Sequence, residues 1–224
     1  MNYKIVHLND KEYPEKLKRI YNPPEYLYWI GYISLLSNTS IAIIGCRNAS
    51  EYGIKIASIF SNNISKAGVT IISGLARGID SIAHKSSVKE IGKTIAVMGC
   101  GVDIIYPLSN KNIYEDIINN GGLIISEFPL GTNPSRESFP KRNRIISALS
   151  DGVLVIEAKK RSGTMITVDY SLEQGKNVYA IPGNIDSPNS VGTNELIKQG
   201  AIMVTNYKEI LRDYIIWMNT YMDL

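Results

Sequence analysis

"IAIIGCRNASEYGIKIASIFSNNISKAGVTII" runs from Ile41 to Ile72 and holds the pattern that decides the fold. Its ends, Ile41–Ile44 and Val69–Ile72, are short apolar runs without polar alternation, the signature of strands buried on both faces. Between them Ile56, Ile59, Phe60 and Ile64 recur at helical spacing, and Gly68 stops the segment. Strand, helix and strand in succession predict a parallel βαβ unit. The same alternation continues outward. Thr94–Met98, Leu123–Ser126, Val153–Glu157, Val178–Ile181 and Ala201–Val204 predict further strands. Helices are expected over 79–91, with Ile79, Ile82, Ala83 and Ile91 on one face, and near 111–120, 139–150, 164–175 and 192–199. The expected fold is an α/β, doubly wound, mainly parallel sheet with helices on both faces.

Residues 37–224 are assigned to that sheet domain. Residues 1–36 read differently. "YPEKLKRI" predicts a short helix, and the two prolines of "PPEYLYWIG" predict an extended segment. They are expected to form an N-terminal arm packed on the main domain. From Tyr207 to about Tyr221 a closing helix is expected, with Ile210, Leu211, Tyr214, Ile215 and Met218 on its apolar side.

The 224 residues are 44% hydrophobic and 20% charged, an ordinary globular composition. The formal net charge is only +3, yet its distribution is uneven. Between Arg136 and Arg161 seven cations face three anions, so this window is +4 and the remaining residues sum to −1. A local basic excess suits an anionic partner, or else a solvated surface patch. Two cysteines, Cys46 and Cys100, exclude a disulfide framework and a four-cysteine metal site. No signal-peptide core opens the chain and no apolar stretch approaches a bilayer span, so the chain is read as cytoplasmic.

Ligands of open parallel sheets sit beyond the carboxyl ends of the strands. The segments that follow the strands here are "GCRNASEYG", "SGLARGIDSIAH", "GCGVDIIYP", "SEFPLGTNPSRESFPKRNR", "AKKRSGTMITVDY" and "PGNIDSPNS". Most carry glycine, which lets backbone approach phosphate closely. None completes a dinucleotide fingerprint or a P-loop. In "RSGT", Gly163 offers access and Ser162 or Thr164 a cap or phosphate donor. "FPKRNRIISALSDG" (Phe139–Gly152) places cations at the positive end of a helix dipole, an arrangement that calls for an anion. Helical spacing puts Arg142 in line with Ile145, Ile146 and Leu149 and aims it inward, with Lys141 and Arg144 to one side and Asn143 facing the other way. Arg142 serves either a phosphate or an internal acid, with Asp80, Asp103 and Glu127 available. Arg47 and Arg77, from neighbouring loops, are expected to converge on the same rim. Arg47 and Arg142 are both expected to be removable without loss of the fold. Phe139 is a candidate for stacking bases or for stapling its own helix, with Phe128 and Tyr106 as further aromatics.

Signs of catalysis are scarce. His84 is expected on a helix surface, within reach of Asp80 at i, i+4. No metal-ligand spacing and no nucleophile elbow occur, and Glu157 is either an acid at a strand end or a counter-charge to its lysine neighbours. No catalytic residue, metal or cofactor is assigned.

"AIIGCRNASEYG", "ISGLARGIDSIAH", "TIAVMGCGVDIIYP", "SEFPLGTNPSRESFPKRNRIISALSDGVLVIEAKKRSGTMIT" and "EQGKNVYAIPGNIDSPNSVGTNELIKQGA", in that order, resemble the DNA-processing protein A (DprA, Smf) family from about Tyr13 to Leu211. The resemblance implies an extended Rossmann-like domain that binds single-stranded DNA, forms a homodimer, and helps load the RecA recombinase during natural transformation, with no catalytic step. It implies DNA-binding roles for Arg47, Phe139, Lys141, Arg142, Asn143 and Arg144. Arg77, Gly163 and Thr164 join them from the rim argument. Many relatives carry a helical domain before the arm and a winged-helix-like domain after the sheet. The competing expectation is a Rossmann-like phosphoribohydrolase acting on nucleoside monophosphates, with Asp169 of "RSGTMITVD" in place of the usual glutamate and no P-G-G before it.

Overall fold

The computed structural model describes the backbone of residues 3–222 and side chains as far as Tyr214. The arm contributes β1 (Lys4–His7), α1 (Glu15–Lys18) and β2 (Tyr26–Gly31). The repeated units follow: β3 (Ser40–Ile44), α2 (Glu51–Lys66), β4 (Thr70–Ser73), α3 (Ile79–Ser87), β5 (Thr94–Val97), α4 (Lys111–Asn119) and β6 (Leu123–Ser126). Then come α5 (Ser138–Leu149), β7 (Gly152–Val155), α6 (Gly163–Glu173), β8 (Asn177–Ala180), α7 (Val191–Lys198), β9 (Ile202–Met203) and α8 (Tyr207–Met222).

All nine strands form one sheet in the order β1-β2-β6-β5-β4-β3-β7-β8-β9. From β6 to β9 every neighbouring pair is parallel, whereas β1–β2 and β2–β6 are antiparallel. The arm therefore extends the sheet edge, with Tyr28 opposite Ser126, besides laying Leu17 of α1 into the core on the α5 side. Alternate residues of each strand feed opposite layers. Ile41 and Ile43 pack with Ala57, Phe60 and Ile64 of α2 and Ile79 and Ala83 of α3. Ala42 and Ile44 pack with Ile145, Ile146 and Leu149 of α5 and Val168 of α6.

Strand β3 lies between β4 and β7. The chain leaves β3 toward α2 on one face and leaves β7 toward α6 on the other, so a crevice opens at their carboxyl ends, the topological switch point of an open α/β sheet.

Three expectations need correcting. The helix predicted over 79–91 ends at Ser87, and Ile91 is 75% exposed. Its chain turns away because Gly92 lies so close to the Val69 carbonyl that a Cβ there would sit 2.1 Å from the oxygen. On α2 the buried stripe runs through Gly53, Ala57, Phe60 and Ile64, leaving Ile59 exposed. Strand β1 was not anticipated, since only Val6 of its four residues is buried. At the C-terminus Ile210 and Tyr214 are buried as the apolar pattern expects; Ile215 and Met218 lie outside the residues with described side chains.

Candidate nucleic-acid interface

The crevice at the switch point is a cleft of about 710 Å³. The loop after β3 supplies Arg47 and Asn48, the first turns of α5 supply Phe139, Arg142 and Asn143, and the start of α6 supplies Ser162, Gly163 and Thr164. With Arg136 and Lys159 the lining holds four cations, Arg47, Arg136 and Lys159 at the rim and Arg142 below them, against one acid, the buried Asp80. Helix α6 begins without a side-chain cap, and the Ser162 hydroxyl is buried with no hydrogen-bond partner. Amides without a side-chain cap at a positive dipole end, beside an unsatisfied hydroxyl, form a ready anion site.

The floor of the cleft is Arg142, 4% exposed. Its Nη1 donates to the Gly74 carbonyl at 2.6 Å and to the Val97 carbonyl, and its Nε donates to Asn143 Oδ1 at 3.2 Å. These bonds tie the ends of β4 and β5 to α5. Among the described residues Arg142 makes no ion pair: its Nη1 donors go to main-chain carbonyls instead of an internal acid, and neither is left for a phosphate. Burial lowers its pKa to about 10, opposed by the charge of Asp80, so it stays protonated at neutral pH. Burial in turn raises the Asp80 pKa, opposed first by Arg142, and Asp80 accepts from the Gly74 amide at 3.1 Å. Gly74, which the sequence did not single out, is part of this latch: a Cβ there would lie 2.4 Å from Arg142 Nη1.

Phe139 is half-buried over Gly99, where a Cβ would meet its ring at 2.8 Å. The Tyr106 ring lies 5.6 Å from it at an interplanar angle of 33°, and the Arg47 guanidinium lies 5.4 Å from its centroid. The ring thus joins an aromatic and cationic cluster on the rim. Ser135 and Ser138 fix the start of α5: the Ser138 amide donates to Ser135 Oγ at 3.1 Å, and the Ser138 hydroxyl donates to the Gly99 carbonyl at 2.5 Å.

The other predicted residues divide. Gly163 and Thr164 line the cleft as expected. Asn143 does too; it faces the cleft with Arg142 and donates to the Gly163 carbonyl at 3.3 Å, instead of facing away. Lys141 and Arg144 leave the cleft for the opposite side of α5, where Glu127 takes Arg144 at 2.6 Å and Lys141 at 3.4 Å. Helical spacing explains the split, because 142, 143 and 146 share one face and 141, 144 and 148 the other. Phe128 goes with that second face, under the Lys141 ammonium at 5.4 Å. Arg77 is exposed and does not line the cleft. The sequence missed Arg136, Lys159 and Asn48 as wall residues; the first two were visible only as members of the basic window.

The titratable groups nearest the cleft are committed to the fold. His84 is fully buried, not on a helix surface, with Nδ1 2.7 Å from Thr94 Oγ1 and Nε2 accepting from the Leu75 amide at 3.3 Å. Burial, reinforced by Arg142, lowers its pKa to about 3 and keeps it neutral. Glu157 is 1% exposed and holds the start of α2: it accepts from the Ser50 amide at 3.0 Å, from the Ser50 hydroxyl, and from Asn189 Nδ2 at 3.3 Å. Asp103 accepts from the Gly131 amide at 2.9 Å. Asp169 is exposed on α6 and does not line the cleft. No group of three or more His, Cys, Asp or Glu able to hold a metal occurs among the described residues, and none of their helices is long and apolar enough to cross a membrane.

A doubly wound, Rossmann-like α/β domain with a cation-rimmed cleft at its switch point is the class these features define. Within that class, residues 4–215 match the family model described as DNA recombination-mediator protein A, and the chain belongs to that family. It is 42% identical to Protein Smf of Escherichia coli over 95% of its own length and 57% of that protein's. It superimposes on the X-ray structure of DNA processing protein A from Streptococcus pneumoniae with a TM-score of 0.89 at 39% identity, covering 94% of this chain and 74% of that one. The Helicobacter pylori DNA processing protein A, whose structure concerns its single-stranded DNA binding mode, matches with a TM-score of 0.86 at 31% identity over 95% of each chain.

Proposed function

We propose that the chain binds single-stranded DNA in the switch-point cleft, without sequence preference, and acts as a recombination mediator that hands the strand to RecA in natural transformation. In this reading it works in the cytoplasm, as a homodimer, by binding rather than by catalysis. The observation that carries it is the cluster of Arg47, Phe139 and Tyr106 lining the same cleft as the uncapped start of α6. Guanidinium and amide groups suit a phosphate thread, and aromatic faces suit bases of any sequence. Family membership and the single-stranded DNA binding of the H. pylori relative support the same reading.

The test is fluorescence anisotropy with labelled oligo-dT and matched duplex DNA across a salt series. Tighter binding to the single strand, weakening steeply with salt, is expected. Equal binding to both, or no binding at low salt, refutes the proposal. The phosphoribohydrolase alternative draws on the same anion site, but its required carboxylate, Asp169, stays outside the cleft. Release of free base from nucleoside monophosphates would restore it.

A further inference from the structure

A second groove, also of about 710 Å³, lies on the far side of α5 between the N-terminal arm and α6. Lys16 and Arg19 of the arm, Lys141 and Arg144 of α5, and Lys176 just beyond α6 line it, against a single acid, Glu173. Some of this charge is compensated within the fold. Lys16 pairs with Asp151 at 2.7 Å, and Glu127 takes Arg144 and, more loosely, Lys141. The rest is not. Arg19 and Lys176 make no ion pair and no side-chain hydrogen bond among the described residues, and Arg144, nine-tenths buried, has an Nη1 without a partner. Burial lowers the pKa of Lys176; Asp151 opposes this, while Lys16 and Arg19 lower it further. Three separate chain segments thus gather five cations, more positive charge than Asp151, Glu127 and Glu173 answer.

Only the first turn of α5 separates this groove from the cleft. Pro140 and Arg142 line the cleft, and Lys141 between them lines the groove. The wall also offers Tyr21, 99% exposed, and the half-buried Tyr170. Uncompensated cations beside accessible aromatic rings repeat the recipe of the cleft itself. We infer that the arm groove holds a second stretch of the same single strand, which leaves the cleft over Lys141 and runs between the arm and α6. The inference rests on the DNA-binding reading of the cleft and enlarges its footprint.

The test compares oligo-dT of roughly 6 and roughly 20 nucleotides, within and beyond the about 4–16 nucleotides typical of one such site. The wild-type chain should bind the longer one much more tightly. In Arg19→Ala/Lys176→Ala, affinity for the short oligomer should stay within about twofold, while the long one loses its advantage and its log–log salt slope falls by about 1.4, or about 0.7 for each of two phosphates on a single strand. Arg19→Ala alone, at an exposed position, should give half that change and serves if the double variant unfolds. Failure to bind either oligomer defeats the cleft reading and this one together. A wild-type chain that binds both lengths alike, or a double variant that weakens both alike or neither, overturns the arm groove alone. Loss confined to duplex DNA also overturns it, by giving the groove to a different ligand.

Discussion

The floor and the rim of the cleft use similar side chains for opposite ends. On the floor, Arg142 is buried, bonded to carbonyls of two strands, and surrounded by the equally buried Asp80 and His84. On the rim, Arg47 is exposed with its guanidinium over the Phe139 ring, while Lys159 and Arg136 are exposed and, among the described residues, make no ion pair. A buried cation is retained where its donors replace water bond for bond, and it then belongs to the fold. An exposed cation is fully hydrated and can exchange that water, and its counterions, for phosphate. Floor variants should therefore unfold the protein before they inform on binding, and rim variants should do the reverse.

The strongest test of that division is Arg142→Ala. It strands the Gly74 and Val97 carbonyls and leaves Asp80 without its nearest cation. The expected cost is about 3–5 kcal/mol, as for breaking a buried charge interaction from one side. Chemical denaturation reads it directly. Arg142→Lys keeps the charge and enough donors for the two carbonyls but loses the Nε bond to Asn143 Oδ1 and the planar packing of the guanidinium, so it should fall between. An alanine variant as stable as the wild type, yet unable to bind DNA, would move Arg142 to the rim class and restore the expectation that it is removable.

His84 gives the next largest effect. Its folded pKa of about 3 lies below the ordinary value of 6.5, so the unfolded chain takes up a proton that the folded one refuses. Its contribution is full above pH 6.5 and is lost as pH falls toward 3, amounting to about 2 kcal/mol by pH 5. Asp80 works the other way, because its raised pKa favours the folded state as it protonates. The clean measurement is the difference in stability between the wild type and His84→Asn from pH 7 to pH 5. A constant difference would show that the imidazole is not buried neutral.

Phe139→Ala is the middle case, since the ring is half-buried and belongs partly to each region. Loss of a stacked base should cost about 1–3 kcal/mol in oligo-dT binding. If the ring only staples its helix, stability should drop with little change in affinity per folded molecule.

Much of this was legible in the chain. The parallel strands announce themselves because both faces are buried, leaving unbroken apolar runs such as Ile41–Ile44 and Leu123–Ser126. Strand β1 has one buried residue and hides in a polar segment. Helical spacing alone turned Arg142 inward. Whether it meets an acid or a carbonyl depends on Gly74 and Val97, 68 and 45 residues away, which no local pattern connects to it. The departure of Arg144 to Glu127 depends on a contact across 17 residues. The arm groove is assembled from three segments, of which only α5 lies in the basic window; nothing local marks Lys16, Arg19 or Lys176 as its partners.

Arg47→Ala is the smallest and most discriminating change. Arg47 has no ion pair among the described residues and is itself exposed on a loop, so stability should move by no more than about 0.5 kcal/mol. Its contact with Phe139 contributes about 0.5–1 kcal/mol at most at such an exposure, and that loss is shared with the unbound state. What remains is one phosphate contact, whose removal should lower the slope of log affinity against log salt by about 0.7 on a single strand. Affinity alone cannot separate a lost phosphate contact from a disturbed Phe139, because both weaken binding; the slope can, because an aromatic ring releases no counterions. A weakened variant with an unchanged slope would mean that Arg47 acts by holding Phe139. A loss of stability like that of Arg142→Ala would place Arg47 with the floor and dissolve the division between the two.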